Sequence, residues 1–163
     1  LTVPLAAHHD RAAFSCGNAS LDIYMRTMAG QDARRYVSNV FIHEGDPPSV
    51  IRGYYTLSMT DVAVSALPEK RRRKLPRHDS VPGALIGRLA VSSALHGKGE
   101  GAILLFDAIR RIIDISREIA AYAITVDAID EAAARFYRHH GFEPLEDQPL
   151  GLFLPLATAR TLV

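Results

Sequence analysis

The chain has 163 residues, 48% of them hydrophobic and 23% charged, with a formal net charge of +1. That length fits one domain over residues 1–163 with a sizeable core, and a charge so near zero gives no global pull towards nucleic acid or membrane. A single cysteine, Cys16, excludes an internal disulfide; no apolar run reaches the ~20 residues of a membrane helix; and Leu1 to Asp10 hold two histidines and an aspartate where an export signal needs an unbroken apolar stretch, so a cytoplasmic protein with no membrane attachment is expected.

In chain order, Ser20 is read as the cap of one or two helices over Leu21 to Arg34, with Leu21, Tyr24, Met25 and Met28 at helical spacing and a weak point at Gly30. Tyr36 to His43 and Val50 to Met59 are rich in β-branched and aromatic residues, and Glu44-Gly45-Asp46-Pro47-Pro48 between them predicts a hairpin. A basic run, Lys70-Arg71-Arg72-Arg73-Lys74, precedes Leu75-Pro76-Arg77, and Ala84 to Val91 reads as a buried strand. The next helix begins near Ala102 and runs to about Ser116 on a broad apolar face containing Leu105, Ile109 and Ile112. Ala121 to Asp127 is a further strand, Asp130 caps a helix through His140, Gly141 stops it, and Leu152 to Leu156 is a last strand. Hairpins first and a strand, helix, strand, helix alternation second predict an α+β fold with a partly parallel sheet.

Between the Ala84 strand and its helix lie His96-Gly97-Lys98-Gly99-Glu100-Gly101. Free N–H groups and the positive end of the dipole at a helix N-terminus favour a phosphate there. Left to itself the cluster also reads as a tight turn. Gly97, Gly99 and Ala102 fit a dinucleotide fingerprint, but Ser92 to His96 separate strand from glycine and Glu118 precedes the next strand, which argues against a nicotinamide cofactor.

Together with Leu89-Ala90-Val91, this loop resembles the acetyl-CoA site of GNAT acetyltransferases, whose pattern is Arg or Gln, two residues, Gly, one residue, Gly or Ala. Gly99 and Gly101 match it, and His96 stands at the first position. Asp130, Ala133, Tyr137, Gly141 and Phe142 repeat the spacing of the family's second motif, with Asp in place of Asn. Phe14-Ser15-Cys16-Gly17, Gly53-Tyr54-Tyr55-Thr56-Leu57-Ser58, Leu75-Pro76-Arg77 and Gly87-Arg88-Leu89-Ala90-Val91 are further similar to the GNAT toxins of bacterial toxin–antitoxin pairs. The resemblance implies a GNAT fold: a mixed, mostly antiparallel sheet flanked by helices, with a parallel split-strand acetyl-CoA site. It also implies acetylation of the α-amine of aminoacyl-tRNA, a block of translation, a homodimer and a ribbon-helix-helix antitoxin.

On that resemblance, Leu89, Ala90, Val91, His96, Gly97, Lys98, Gly99, Glu100, Gly101, Ala102, Asp130 and Ala133 are the residues expected at acetyl-CoA, and Tyr137 is the general acid that protonates the departing thiolate. The helical stripe alone reads Tyr137 as a core aromatic. Glu100, Asp127 and Asp130 are candidate proton acceptors through water, each also readable as a solvated or capping carboxylate. Lys70, Arg71, Arg72, Arg73, Lys74 and Arg77 form a self-repelling run, read either as a solvated face or as the tRNA surface, which Arg34, Arg35 and Arg88 extend unless Arg88 instead pairs with a carboxylate inside the fold. No histidine spacing points to a metal, and Cys16 is given no role. A GNAT enzyme of small amines or protein lysine, and a non-enzymatic acyl-CoA-binding regulator, are the alternatives.

Overall fold

The computed structural model describes residues 1–163 as two compact units, Leu1–Ser58 with Gly87–Ala108 and Met59–Ile86 with Ile109–Val163. Seven strands are hydrogen-bonded in the order β1-β2-β3-β4-β5-β7-β6: β1 Val3–Pro4, β2 Asn39–Glu44, β3 Ile51–Ala63, β4 Ser80–Val91, β5 Ala123–Asp127, β6 Glu143–Leu145 and β7 Gln148–Pro155. With β4 and β5 parallel and β1–β2, β2–β3, β5–β7 and β6–β7 antiparallel, the sheet is mixed, as the sequence predicted.

In the first unit, α1 Ala19–Thr27 and α2 Ala29–Arg34 turn Leu21, Tyr24, Met25 and Ala29 inward. The cap is Asn18, not Ser20: Asn18 is extended and its side chain accepts the Leu21 N–H, which places Ser20 inside the first turn. The helices part at Met28, two residues before the glycine singled out by the sequence. β2 begins only at Asn39, because Tyr36 adopts a φ of 59° and Val37 N–H closes back on the Asp32 carbonyl at 3.0 Å. Phe14, Tyr24, Met25, Ile42 and Tyr54 make the core, and the Tyr54 hydroxyl donates to the Leu21 carbonyl at 2.9 Å, so its burial leaves no donor unmatched.

Gly53 in β3 is required by a close approach. A methyl group there would sit 2.7 Å from Leu104 Cδ1 and 2.8 Å from the Ala90 carbonyl oxygen, a backbone atom that cannot swing away. Gly53→Ala is therefore expected to destabilise the protein by about 1–3 kcal/mol, read as a lower midpoint in urea; an unchanged midpoint would show that β3 and β4 separate there at little cost.

In the second unit, the parallel ladder runs from Gly83↔Ala123 to Ile86↔Val126 and β7 pairs with the other edge of β5. Val62, Leu67, Val81, Ala123 and Phe153 form a core supported by Leu75, Tyr122 and Leu145. The basic run is partly helical, in α3 Glu69–Arg72. α4 Glu100–Ile115, which lies in the first unit up to Ala108, and α5 Glu131–His139 match the predicted helices, with Asp130 as the α5 cap and Gly141 at a φ of 94° after its end. β6 and α6 Leu156–Ala159 were not foreseen; β6 is three residues long and centred on a proline, too short for period-two alternation to register. No helix is long and apolar enough to cross a membrane.

Candidate active site

The glycine-rich loop is held at every turn within the first unit. Leaving β4, Ser92 N–H donates to the Arg52 carbonyl at 2.8 Å and Ser93 N–H to the Ser15 carbonyl at 2.9 Å. His96 Nε2 lies 2.8 Å from the Val91 carbonyl and donates to it, so the ring staples the loop to the strand end. Gly97 and Gly99 have φ values of 75° and 79°, a region that L side chains rarely adopt, and no atom lies within 4 Å of where their Cβ atoms would be. The glycines thus serve backbone shape and leave an open cradle. Behind it α4 begins at Glu100, and its first turn presents N–H groups without intrahelical partners beside the exposed Lys98, the donor set a pyrophosphate needs.

Glu100 turns its carboxylate away from that cradle. It is buried, paired with the Arg52 guanidinium, and its second oxygen stands 3.3 Å from His43 Nδ1. Nothing in the spacing announced this cluster, since its members come from β2, β3 and α4. The β4 backbone beside the loop is also available: the ladder with β5 ends at Ile86↔Val126, whereas β4 runs on through Leu89, Ala90 and Val91.

In the second unit, Asp130 Oδ1 accepts the Ala133 N–H at 2.8 Å and starts α5, which carries Tyr137 on its buried face. The Tyr137 ring packs edge-on against Phe136 and Phe142, at 5.2 and 5.5 Å between centroids. Burial pushes its phenol well above the ordinary tyrosine value, so the proton is held at neutral pH. The hydroxyl makes no hydrogen bond within the chain. A buried tyrosine with an uncommitted O–H is equipped to donate a proton to a group that arrives from outside.

Residues 75–150 match the model of the acetyltransferase (GNAT) domain. The tRNA-acetylating toxin of Mycobacterium tuberculosis (strain ATCC 25618 / H37Rv) is 38% identical over 94% of this chain and 90% of its own length. The chain belongs to the GNAT acetyltransferases. As a GNAT enzyme it is an N-acetyltransferase that uses acetyl-CoA as co-substrate. The fold of AtaT complexed with acetyl-methionyl-tRNAfMet is similar over 99% of this chain and 98% of that one, at 29% identity and a TM-score of 0.92. A tyrosine-to-phenylalanine mutant of AtaT bound to the C-terminus of the antitoxin AtaR and acetyl-CoA is similar over 99% and 96%, at 25% identity and a TM-score of 0.85.

Elsewhere in the acetyltransferase the three candidate carboxylates separate. Glu100 is held by Arg52 and Asp130 by its cap, whereas Asp127 is exposed at the end of β5 and lines a cavity of about 220 Å³ with Thr60, Asp61, Leu85, Thr125 and Gln148. The sequence suggested a basic run without counter-charge, but the fold supplies one: Arg71 Nη2 lies 2.6 Å and Lys70 Nζ 3.5 Å from the Glu143 carboxylate. Arg72 Nη1 donates to the Leu67 carbonyl at 2.8 Å. The side chains of Arg73, Lys74 and Arg77 are exposed and engage no partner. Arg88 stacks on Tyr24, with Cζ 3.6 Å from the ring centroid.

Burial pushes the Cys16 thiol up to about 11, which leaves it protonated and a poor nucleophile. His8, His9 and Glu44 bring three ligand-type atoms within 4.8 Å of one another, across a sequence gap no spacing rule would find. The Ala6 N–H donates to His9 Nδ1 at 2.9 Å, so a neutral His9 carries its proton on Nε2 and gives it to Glu44 Oε1 at 2.9 Å. The nitrogen a cation would need is protonated, and the trio ties the first residues to β2.

Proposed function

We propose that this acetyltransferase transfers the acetyl group of acetyl-CoA to the α-amine of aminoacyl-tRNA and so blocks translation. What carries the reading is the open cradle at Gly97 and Gly99 in a chain 38% identical to a tRNA-acetylating toxin. Residues 1–163 act as one acetyltransferase domain, as a homodimer in the cytoplasm, silenced by a ribbon-helix-helix antitoxin; the AtaT relative bound to the C-terminus of the antitoxin AtaR supports an antitoxin as partner.

Acetyl-CoA supplies an activated thioester carbonyl. The amides of Gly97, Gly99, Gly101 and Ala102, with Lys98, hold its pyrophosphate, and the backbone of Leu89, Ala90 and Val91 receives pantetheine and polarises the carbonyl where negative charge develops. His96 and Glu100 shape this loop through Val91 and Arg52, and Asp130 and Ala133 fix the start of α5. Tyr137 donates its proton to the departing sulfur; the burial that raises the phenol also raises a thiol brought beside it, which keeps the two matched. Asp127, exposed at its cavity, takes the amine proton through water. A strong base is not needed, because an α-amine titrates near ~7.7–8.0 against ~10.4 for lysine. Lys70, Arg71, Arg72, Arg73, Lys74, Arg77 and Arg88 line the tRNA side, with Arg73, Lys74 and Arg77 uncommitted inside the chain.

Labelled acetyl-CoA incubated with total charged tRNA tests this directly. Label is expected on charged and not on deacylated tRNA, released with the amino acid on mild alkaline hydrolysis. Label on free amines or protein lysine, with none on charged tRNA, would overturn the acceptor and leave the acetyltransferase standing.

A further inference from the structure

α2 has a glycine in its second position although glycine is a poor helix former, and no positive φ requires it. The space above it explains the choice. A methyl group on Gly30 would collide with Arg11 Nη1 and lie 3.4 Å from Arg11 Cζ and 3.2 Å from Arg34 Nη1. Two guanidinium groups, from the segment before α1 and from the end of α2, therefore meet over one bare Cα. Neither has a carboxylate within salt-bridge distance; the nearby acids are engaged otherwise, Asp10 with the Ala13 N–H and Asp32 with the Tyr24 hydroxyl. Like charges brought together without a counter-ion repel, and an anion seated between two forks converts that repulsion into attraction. Two residues beyond Arg34, Tyr36 is 92% exposed and held at a φ of 59°, a conformation unusual for a bulky residue, with exposed Arg35 beside it.

We infer that Arg11 and Arg34, converging over Gly30, form a phosphodiester clamp for the single-stranded end of the tRNA, with Tyr36 as the platform on which an adjacent base stacks. This rests on the aminoacyl-tRNA reading and takes Arg34, which the sequence already set on the candidate tRNA surface, into a defined site with Arg11 and Tyr36 on the first unit. Cations next to an exposed aromatic suit a nucleic acid strand, whose phosphates and bases alternate along its length. Gly30 supplies the room: without a Cβ there, the Arg11 guanidinium reaches over the helix to the side chain of Arg34.

The clamp makes Gly30→Ala an unusual test. Alanine favours the helix, and the atom in its way is the far end of a flexible side chain, so the melting temperature should hold or rise while Arg11 is displaced. For Gly30→Ala and Arg11→Ala alike, KM for charged tRNA is expected to rise about tenfold, with kcat and the KM for acetyl-CoA unchanged. The salt slope of tRNA binding should fall by ~0.7 for each single-strand phosphate that the variant no longer neutralises. Tyr36→Phe should keep, and Tyr36→Ala lose, affinity for the strand. An unchanged tRNA KM and salt slope in both Gly30→Ala and Arg11→Ala would overturn the clamp, as would weaker antitoxin binding with tRNA affinity intact, which would assign the cations to an acidic protein partner. If the native protein leaves charged tRNA unacetylated yet binds it with an Arg11-dependent slope, the acceptor reading fails and the clamp stands.

Discussion

Tyr137→Phe is expected to lower kcat for acetyl transfer by ~10²–10⁴ while leaving KM for acetyl-CoA and the melting temperature almost unchanged. The argument begins with burial. The ring is 7% exposed and wedged against Phe136 and Phe142, a packing that phenylalanine repeats atom for atom. The hydroxyl has no partner inside the chain, so its loss breaks no internal hydrogen bond, and stability should stay within about 0.5 kcal/mol. What disappears is a proton that burial keeps on the oxygen across the neutral range. The departing thiolate must then leave unprotonated or take its proton from water. Native and variant enzymes assayed for single-turnover transfer, with acetyl-CoA affinity measured separately, decide the point. Equal rates would return Tyr137 to the core and require another acid.

Glu100→Ala should cost about 1–3 kcal/mol of stability and raise KM for acetyl-CoA roughly tenfold, a change worth ~1.4 kcal/mol. Glu100 is the first residue of α4, and its carboxylate faces Arg52 on β3 and His43 on β2. Removing it leaves a guanidinium without its partner; the Arg52 side chain is 35% exposed, so water recovers part of the loss and the full cost of a stranded buried charge is not reached. The same bond fixes the start of α4, whose free N–H groups are the proposed pyrophosphate donors. Arg52→Met alone should also destabilise, and Arg52→Met with Glu100→Ala should lose less than the sum of the two single changes, because no charge is then left unpaired. Thermal melts of the three variants, each with an acetyl-CoA titration, give both quantities. A double variant as weak as the sum of the singles would mean that the two residues act independently.

A good part of the site was legible because it is local. The cradle at Gly97 and Gly99 and the Asp130 cap lie within short stretches, where backbone conformation and helix ends are set by neighbouring residues. Where expectation and structure diverge, a competing bond decides. Ser20 and Asn18 are both good caps, and the closure of Asn18 on Leu21 N–H chose between them. Tyr36 has strong strand propensity, yet the bond from Val37 N–H to the Asp32 carbonyl turns the chain before a strand can begin. The five cations from Lys70 to Lys74 looked uncompensated until Glu143, some seventy residues on, took Lys70 and Arg71.

By itself the sequence determined the α+β class, the order of the main helices and strands, the glycine loop before α4 and the position of Tyr137 on α5, because periodicity, caps and turn residues act over a few neighbours. Tertiary structure alone decided which charges are committed: Glu100 to Arg52 and His43, Arg71 to Glu143, and Arg11 beside Arg34 over Gly30. The physical reason is range. Backbone preference is fixed within a turn or a pair of strands, whereas a charge takes whatever partner the fold brings within about 4 Å, however far apart the two stand in the chain.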